Sequence, residues 1–219
     1  MSGATSGRRG VFVVFEGIEG AGKSTQVRML SEWLAARGVP HRLVREPGGT
    51  PVGEEIRRLM LDSQDLPARA ELFLALAARA IHVDEVLAPA LAAGEVVVAD
   101  RYELSTLAYQ GYGRGLPLDE VRRLNRLATG GLSPDVTVLL EVPVAVGEAR
   151  RRAEGRGADR IEGAGHAFHV RVAEAYALLA ETEPSVERVD ATADPEHVHA
   201  EVLRRLNARF PETFPLRAG

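Results

Sequence analysis

The stretch Gly17-Ile18-Glu19-Gly20-Ala21-Gly22-Lys23-Ser24, followed by Thr25, decides the fold of this chain. It matches the phosphate-binding pattern of glycine, any four residues, then Gly-Lys-Ser/Thr. The run before it, Val11 to Phe15, is short and continuously apolar, as in a buried parallel strand. The segment after it, Gln26 to Arg37, spaces its apolar residues as a helix does, and Gly38 ends it. A strand therefore leads through a glycine-rich turn into a helix N-terminus, where free N–H groups and the helix dipole attract phosphate.

This loop predicts a site for a nucleoside triphosphate with bound Mg²⁺. Lys23 supplies a positive charge to the β- and γ-phosphates, and the Ser24 hydroxyl is a ligand for the metal. The predicted ATP-binding residues of the loop are Gly17, Ile18, Glu19, Gly20, Ala21, Gly22, Lys23, Ser24 and Thr25.

Composition narrows the class of protein. The 219 residues suffice for one substantial α/β domain, which we place at 11–210 after a disordered tail at 1–10. The absence of cysteine excludes disulfides, thiolate catalysis and cysteine–zinc sites. A net charge of −4 argues against nucleic acid as a partner. No apolar run approaches the roughly 20 residues of a membrane span, and the N-terminus lacks a signal-peptide core. We therefore expect a cytoplasmic protein without a membrane partner.

Five apolar, β-branched runs alternate with helical segments along the chain. This alternation predicts a five-stranded parallel sheet with helices on both faces. The predicted strands are 11–15, 41–45, 96–99, 136–142 and 186–189, and the predicted helices are 24–37, 52–61, 69–93, 103–110, 118–129, 144–155, 166–181 and 195–208.

Charged residues follow the predicted strands, at the edge where open parallel sheets bind ligands. Asp100 comes directly after the third strand, where an acidic residue helps to place Mg²⁺ beside a phosphate loop; a helix-capping role is the alternative. Arg101 follows, and its fork of N–H donors suits a second, acceptor phosphate better than a surface salt bridge.

Two further charged features bear on catalysis. Glu19 lies inside the phosphate loop, so we expect it to face the acceptor side and to organise positive groups, with simple solvent exposure as the alternative. The segment from Arg150 to Arg160 carries five arginines and two glycines. We interpret it as part of a lid at about 150–163, in which Arg156 and Arg160 stabilise the transferring phosphoryl group. A solvated helix end is the alternative for the first three arginines.

Four segments together resemble the thymidylate kinase family. They are Phe15-Glu16-Gly17 with the phosphate loop, Arg45-Glu46-Pro47-Gly48-Gly49-Thr50, Asp100-Arg101-Tyr102, and Ser105-Thr106-Leu107-Ala108-Tyr109-Gln110-Gly111. The resemblance covers about 11–206 and implies a P-loop nucleoside-monophosphate-kinase fold. It implies transfer of the γ-phosphoryl group of ATP to dTMP with Mg²⁺, and a homodimer. Glu19 with Arg156 and Arg160 resembles the bacterial type, which has an acidic loop residue and lid arginines.

The resemblance also implies roles for individual residues. Arg101 would bind the acceptor phosphate, Asp100 would support the metal, and Arg79 would read the thymine base. The implied dTMP-binding residues are Glu46, Pro47, Leu72, Leu76, Arg79, Arg101, Ser105, Tyr109 and Gln110. The implied ATP side adds Arg150, Asp190, Ala191 and Thr192, and the catalytic set is Lys23, Arg101, Glu19, Arg156 and Arg160.

One position departs from the family pattern. Family members usually place an aromatic residue four positions before the base-reading arginine, and here that residue is Ala75. Phe73 lies roughly 120° around the helix from Arg79 and so does not substitute for it. Leu72 or Leu76 would then supply an apolar wall, or another aromatic residue would swing in.

Two other functions stay open at the level of sequence. One is a nucleoside-monophosphate kinase of altered base preference, suggested by Ala75. The other is a nucleotide-dependent switch without an acceptor, although the chain has no Asn/Thr-Lys-x-Asp segment that would read guanine.

Overall fold

A five-stranded parallel sheet organises the molecule. The computed structural model describes residues 9–63, 65–153, 160, 161 and 163–216. The strand order is β2-β3-β1-β4-β5, and each neighbouring pair is parallel. The strands are β1 (Phe12–Glu16), β2 (His41–Arg45), β3 (Val96–Asp100), β4 (Val136–Glu141) and β5 (Val186–Asp190). This confirms the predicted sheet.

Helices connect the strands and cover the sheet. They are α1 (Lys23–Ala35), α2 (Pro51–Asp62), α3 (Ala68–His82), α4 (Ala88–Ala92), α5 (Glu103–Thr106), α6 (Leu118–Thr129), α7 (Val144–Ala153), α8 (His166–Thr182) and α9 (Pro195–Arg209).

The side chains of β1 show why both faces of the sheet are covered. All five residues of the strand are buried. Val13 and Phe15 join a hydrophobic cluster with α1, α8 and α9, whereas Phe12 and Val14 join a second cluster with the residues around α4. Because side chains alternate across a strand, this division requires a packed layer on each face.

The predicted helix 69–93 is helical throughout but changes its winding. A π-helical stretch, Val83–Leu87, separates α3 from α4. Pro89 lies in the first turn of α4 and has no N–H to donate to the preceding turn, which accounts for the local rewinding. A second π-helical stretch, Leu107–Gly113, follows α5.

The first and last described residues are held by the fold beyond the predicted domain bounds. Arg9 forms an ion pair with Asp135 at 2.7 Å, and Gly10 N donates to Leu91 O at 2.8 Å. The predicted disordered tail is therefore wrong for residues 9 and 10, while residues 1–8 lie outside the described part. Phe214 is fully buried against the core, so packing continues past the predicted domain end at 210. No helix of the described ranges is both long and apolar enough to cross a membrane.

Strand register brings the predicted site residues to one edge. Asp100 is the register partner of both Phe15 and Arg45, and Asp190 is the partner of Glu141. The phosphate loop, the segment after β2, the β3 end and the β5 end therefore meet at the carboxyl edge of the sheet.

Candidate active site

The phosphate loop packs tightly against α7, and its lysine bonds to carbonyl groups of the loop itself. Gly20 has a φ of 74°, and a Cβ there would lie 2.2 Å from the carbonyl oxygen of Gly147, so only glycine fits. The buried Lys23 ammonium donates to the carbonyl oxygens of Gly17 (3.1 Å) and Ile18 (2.8 Å). Burial, together with the positive charge of Arg101, lowers the pKa of Lys23 to about 8. A phosphate that replaces these carbonyls would be held by a full positive charge.

Ser24 and Asp100 meet at the mouth of the loop. The Ser24 hydroxyl donates to Oδ2 of Asp100 at 2.9 Å. A hydroxyl beside a carboxylate is an oxygen donor pair of the kind that Mg²⁺ prefers. The sequence predicted this pair as the metal site, and the structure brings the two side chains together.

Arg101 lies at the centre of the polar network. Its Nη2 is 2.8 Å from Oε1 of Glu19, and its Nη1 donates to Gly17 O and Ser105 Oγ, each at 3.1 Å. Arg101 has a φ of 74°, a left-handed backbone conformation that is rare for residues other than glycine. Such strain persists only where the surroundings impose it. Here the Arg101 N–H donates to Phe15 O at 2.9 Å, which ties the strained residue to the end of β1.

Glu16 holds the segment that follows Arg101. One carboxylate oxygen accepts from the backbone N–H groups of Tyr102 (2.9 Å) and Ser105 (3.0 Å). The other accepts from the Ser105 hydroxyl at 2.6 Å and the Tyr176 hydroxyl at 2.8 Å. Glu16 is fully buried, so these bonds are strong constraints on where α5 begins.

Glu19 organises positive groups, as its position in the loop predicted. Its second oxygen accepts from the Tyr109 hydroxyl at 2.6 Å. Burial raises the pKa of the Glu19 carboxyl, but Arg101, Lys23 and the Tyr109 hydrogen bond together outweigh burial and leave the pKa below its ordinary value. Glu19 is therefore a carboxylate at neutral pH.

Arg79 lines the cavity and is held rigidly by four hydrogen bonds. Its Nε donates to Glu46 at 2.7 Å, and its Nη1 donates to Thr106 at 2.8 Å and to Asn125 at 2.5 Å. Its Nη2 donates to the carbonyl oxygen of Tyr102 at 2.9 Å. Burial alone would lower the pKa of Arg79, but the Glu46 carboxylate raises it above the usual value. The guanidinium is a fixed donor array. Glu46 also lies 3.2 Å from Nδ1 of the buried His82, and the Glu46–Pro47 peptide is cis.

Gln110 is fixed in a similar way. Its amide nitrogen donates to Oε1 of Glu71 at 2.6 Å, and both side chains are buried. Glu71 also faces the guanidinium groups of Arg114 (3.1 Å) and Arg160 (2.8 Å).

The apolar side of the cavity differs from the prediction. Ala75 lines the cavity, whereas Leu72 and Leu76 lie in the main hydrophobic core and are not among the lining residues. The reason is helical phase, since α3 turns these two residues toward the core. Phe73 is 57% exposed, which confirms that it does not reach the site.

Arg150 and Arg160, two arginines of the predicted lid segment, lie in different places. Arg150 donates to the carbonyl oxygens of Ala191 (3.0 Å) and Thr192 (3.3 Å), which joins α7 to the loop after β5. Asp190 accepts from the Thr192 hydroxyl at 2.7 Å and closes that loop. The predicted ATP-side residues outside the phosphate loop thus form one group.

Arg160 does not lie in the phosphate site. Its Nε donates to Met60 O at 2.9 Å, and its Nη1 pairs with Glu71. The buried Glu71 carboxylate requires positive partners, and this requirement holds the arginine beside Glu71 and the end of α2. The expectation that Arg160 stabilises the transferring phosphoryl group is corrected for this conformation. Arg156 lies outside the described residues.

One cavity of about 390 Å³ joins the phosphate loop to Asp100, Arg101 and Arg79. Glu19, Gly20, Lys23 and Ser24 of the phosphate loop line it, as do Arg101 and the rigid Arg79. Pro47, Ser105, Tyr109 and Gln110 also line it, together with Arg57, Met60, Leu61, Arg151 and Ile161.

Comparison with known proteins decides the family. Residues 15–202 match the family model described as thymidylate kinase. The chain is 47% identical over 207 residues to a thymidylate kinase of Trichormus variabilis, covering 93% of this chain and 98% of the relative. It is 52% identical over 199 residues to one of Desulfovibrio desulfuricans, covering 86% and 91%. The chain belongs to the thymidylate kinase family.

A solved thymidylate kinase supports the same fold. The structure of the Ehrlichia chaffeensis protein matches with a TM-score of 0.74 at 30% identity, covering 90% of this chain and 99% of that one. Membership of the thymidylate kinase family makes the chain a nucleoside-monophosphate kinase that phosphorylates dTMP. Neither an altered base preference nor a switch without an acceptor is favoured.

Several residues of this thymidylate kinase site were missed from the sequence. Glu16 was quoted only as part of a motif, although its spacing before the phosphate loop was a usable signal. Glu71 is hydrogen-bonded to Gln110, which lies 39 positions further along the chain, and no local sequence pattern predicts such a pair. Arg151 and Arg57 line the cavity and were not assigned to it.

Proposed function

We propose that the chain transfers the γ-phosphoryl group of ATP to dTMP, which gives dTDP and ADP, and that a single cavity holds both nucleotides. The observation that carries this proposal is the lining of that cavity. Lys23 and Ser24 of the phosphate loop lie on one side, and Arg101, Arg79 and Gln110 lie on the other. Arg101 donates to Gly17 O of the phosphate loop at 3.1 Å, so an acceptor phosphate held by Arg101 would lie next to the γ-phosphate, which suits direct transfer between two nucleotides.

The donor half is the phosphate loop with the groups around Arg150. Backbone N–H groups of the loop and the Lys23 ammonium bind the β- and γ-phosphates. Asp190, Ala191 and Thr192 form the loop beside the adenine, and Arg150 fixes that loop to α7.

Mg²⁺ fits the donor half. The donor set of the Ser24 hydroxyl and the Asp100 carboxylate, 2.9 Å apart, consists of hard oxygen ligands. When bound, the ion would neutralise charge on the β- and γ-phosphates.

The acceptor half places the dTMP phosphate against Arg101 and the base against Arg79 and Gln110. Glu46 and Pro47 shape the wall, and Ser105 and Tyr109 line the nucleoside path. Because Arg101 is already oriented by Glu19, Ser105 and Gly17 O, little ordering is needed when the phosphate binds.

The reaction needs no covalent enzyme intermediate. An oxygen of the dTMP phosphate attacks the γ-phosphorus of ATP, the bond from that phosphorus to the β–γ bridging oxygen breaks, and ADP leaves. Catalysis rests on alignment and on charge stabilisation, for which we assign Lys23 and Arg101 from the described cavity and Arg156 from the lid.

The wider assignments are proposals of the same kind. The chain forms a single kinase domain with a lid at about 150–163, and the partners are the two nucleotides and a second copy of the chain. Phe73 on α3 and Leu127 on α6 are 57% and 78% exposed, which supports burial of these helices in a homodimer. The proposed compartment is the cytoplasm, and neither a membrane nor nucleic acid is a proposed partner.

ADP release tests the function directly. The chain is mixed with ATP and Mg²⁺, and ADP is measured with dTMP, dUMP, dGMP, dCMP or no acceptor. We expect ADP formation to depend on an acceptor and to be fastest with dTMP. Rapid ADP formation without any acceptor would contradict the proposal.

A further inference from the structure

We propose that Glu71 is a positioning residue that sets base selectivity by fixing which amide atom Gln110 turns toward the acceptor base. This inference rests on the proposed assignment of Gln110 and Arg79 to the base. The starting observation is the buried hydrogen bond of 2.6 Å from the Gln110 amide nitrogen to Oε1 of Glu71.

The chemistry of a carboxylate dictates the orientation of the amide. An ionised carboxylate only accepts hydrogen bonds, so the amide group of Gln110 must present its NH₂ to Glu71. The amide oxygen is left for a ligand, and no hydrogen bond to it is found among the described residues. Gln110 lines the cavity, so it offers an acceptor there.

Two guanidinium groups face the other carboxylate oxygen of Glu71. Arg114 Nη2 and Arg160 Nη1 lie 3.1 Å and 2.8 Å from Oε2 of Glu71. Glu71 has no exposed surface, and two guanidinium groups compensate its charge. This explains why Arg160 lies against Glu71 and not at the phosphates.

Arg79 supplies the complementary donor. A guanidinium has five N–H groups, and four of those on Arg79 are taken by Glu46, Thr106, Asn125 and Tyr102 O. One N–H of Nη2 remains, and Arg79 lines the same cavity. The base therefore meets one donor from Arg79 and one acceptor from Gln110.

This donor and acceptor distinguish two kinds of pyrimidine. Thymine presents a carbonyl oxygen at C4 beside an N–H at N3, which complements the pair. Cytosine presents an amino group at C4 beside an acceptor nitrogen, so both contacts would face like groups. If Glu71 did not hold the amide, the Gln110 amide group could rotate. Its NH₂ could then donate to N3 of cytosine, and cytosine would be bound as well.

The experiment compares dTMP with 5-methyl-dCMP, because these acceptors differ only at N3 and C4. We expect the wild-type chain to prefer dTMP by at least about a hundredfold in kcat/KM. In Glu71→Gln the partner can donate or accept, so Gln110 can adopt both orientations. We expect the preference for dTMP to fall by about tenfold or more. A merely structural role would lower kcat/KM equally for both acceptors and would overturn the inference.

An exchange of the two groups provides the rescue. In Glu71→Gln with Gln110→Glu, residue 110 is acceptor-only and still presents an acceptor to the base, so the preference for dTMP should return. If Glu71→Gln fails to fold, the exchanged variant is compared directly with the wild type, and loss of its preference would overturn the inference. Failure of the wild-type chain to phosphorylate dTMP would instead contradict the proposed function.

Discussion

The Arg101 guanidinium and the Glu19 carboxylate lie 2.8 Å apart, and this ion pair joins the acceptor rim at the end of β3 to the phosphate loop. Arg101 belongs to the half of the cavity that we assign to dTMP, and Glu19 belongs to the phosphate loop that we assign to ATP. We expect this pairing to fix the separation of the two proposed phosphate sites before either nucleotide binds. Several expected outcomes depend on this relationship.

Arg101→Lys should lower kcat/KM for dTMP by about 10²–10³-fold, because lysine keeps the charge but loses the planar fork that holds Glu19, Ser105 and a phosphate together. Steady-state kinetics with dTMP as the varied substrate measures the effect. Arg28→Lys is the matched control, since Arg28 is exposed and pairs with Glu32 one turn away. A change at Arg101 no larger than the control would show that the fork is not used.

Glu19→Gln should destabilise the fold at neutral pH by about 1–3 kcal/mol, because it removes the ionised partner of the partly buried Arg101. The pKa of the folded-state carboxyl lies below its ordinary value of 4.5. The ionised form therefore contributes stability above pH 4.5, and the contribution is lost as the pH falls through the lower folded-state pKa.

Thermal unfolding of the wild type and of Glu19→Gln between pH 7 and pH 3 checks this sign. The gap in Tm between the two proteins should narrow toward acid pH. A gap that widens on acidification would mean that burial dominates the pKa of Glu19.

Arg156→Ala and Arg160→Ala should have different kinetic effects. We expect Arg156→Ala to lower kcat by about 10²-fold or more with little change in dTMP binding, because it would act only on the transferring group. Arg160→Ala removes a partner of Glu71 and should mainly raise KM for dTMP. An unchanged kcat with a raised KM in Arg156→Ala would assign that arginine to ordinary substrate binding.

Ala75→Phe should lower KM for dTMP about fivefold or more, because a ring at this position can stack on the base and such stacking contributes about 1–3 kcal/mol. Ala75 lines the cavity beside Met60, which must shift to admit the ring. Ala77→Phe on the exposed face of α3 is the control for a large side chain in this helix. An unchanged KM in Ala75→Phe would indicate that the base does not lie over this face.

The fold could be predicted well because its signals are local. The five strands and the phosphate loop each lie within a short window, and the continuous apolar run of β1 already implies burial on both faces. The placement of Asp100 beside Ser24 also followed from sequence, because parallel strands end at one edge.

Other contacts could not be predicted because they join distant parts of the chain. Glu16 reaches Tyr176 across 160 positions, and Glu71 meets Arg160 where the end of α2 approaches the segment after α7. Leu72 and Leu76 have the right polarity for a base wall, but the rotation of α3 about its axis assigns them to the core. That rotation depends on the whole packed interface and not on the helix alone.

The sequence by itself determined the sheet, the phosphate loop and the family, since each rests on residue types at short, regular spacing. Only the tertiary structure decided the partners of buried charges. Glu16 accepts hydrogen bonds from backbone N–H groups and hydroxyls, and Glu19 pairs with Arg101. Glu71 accepts from Gln110 and pairs with two arginines. The physical reason is that a buried carboxylate must be compensated by whichever donors the fold brings to it, and those donors come from elsewhere in the chain.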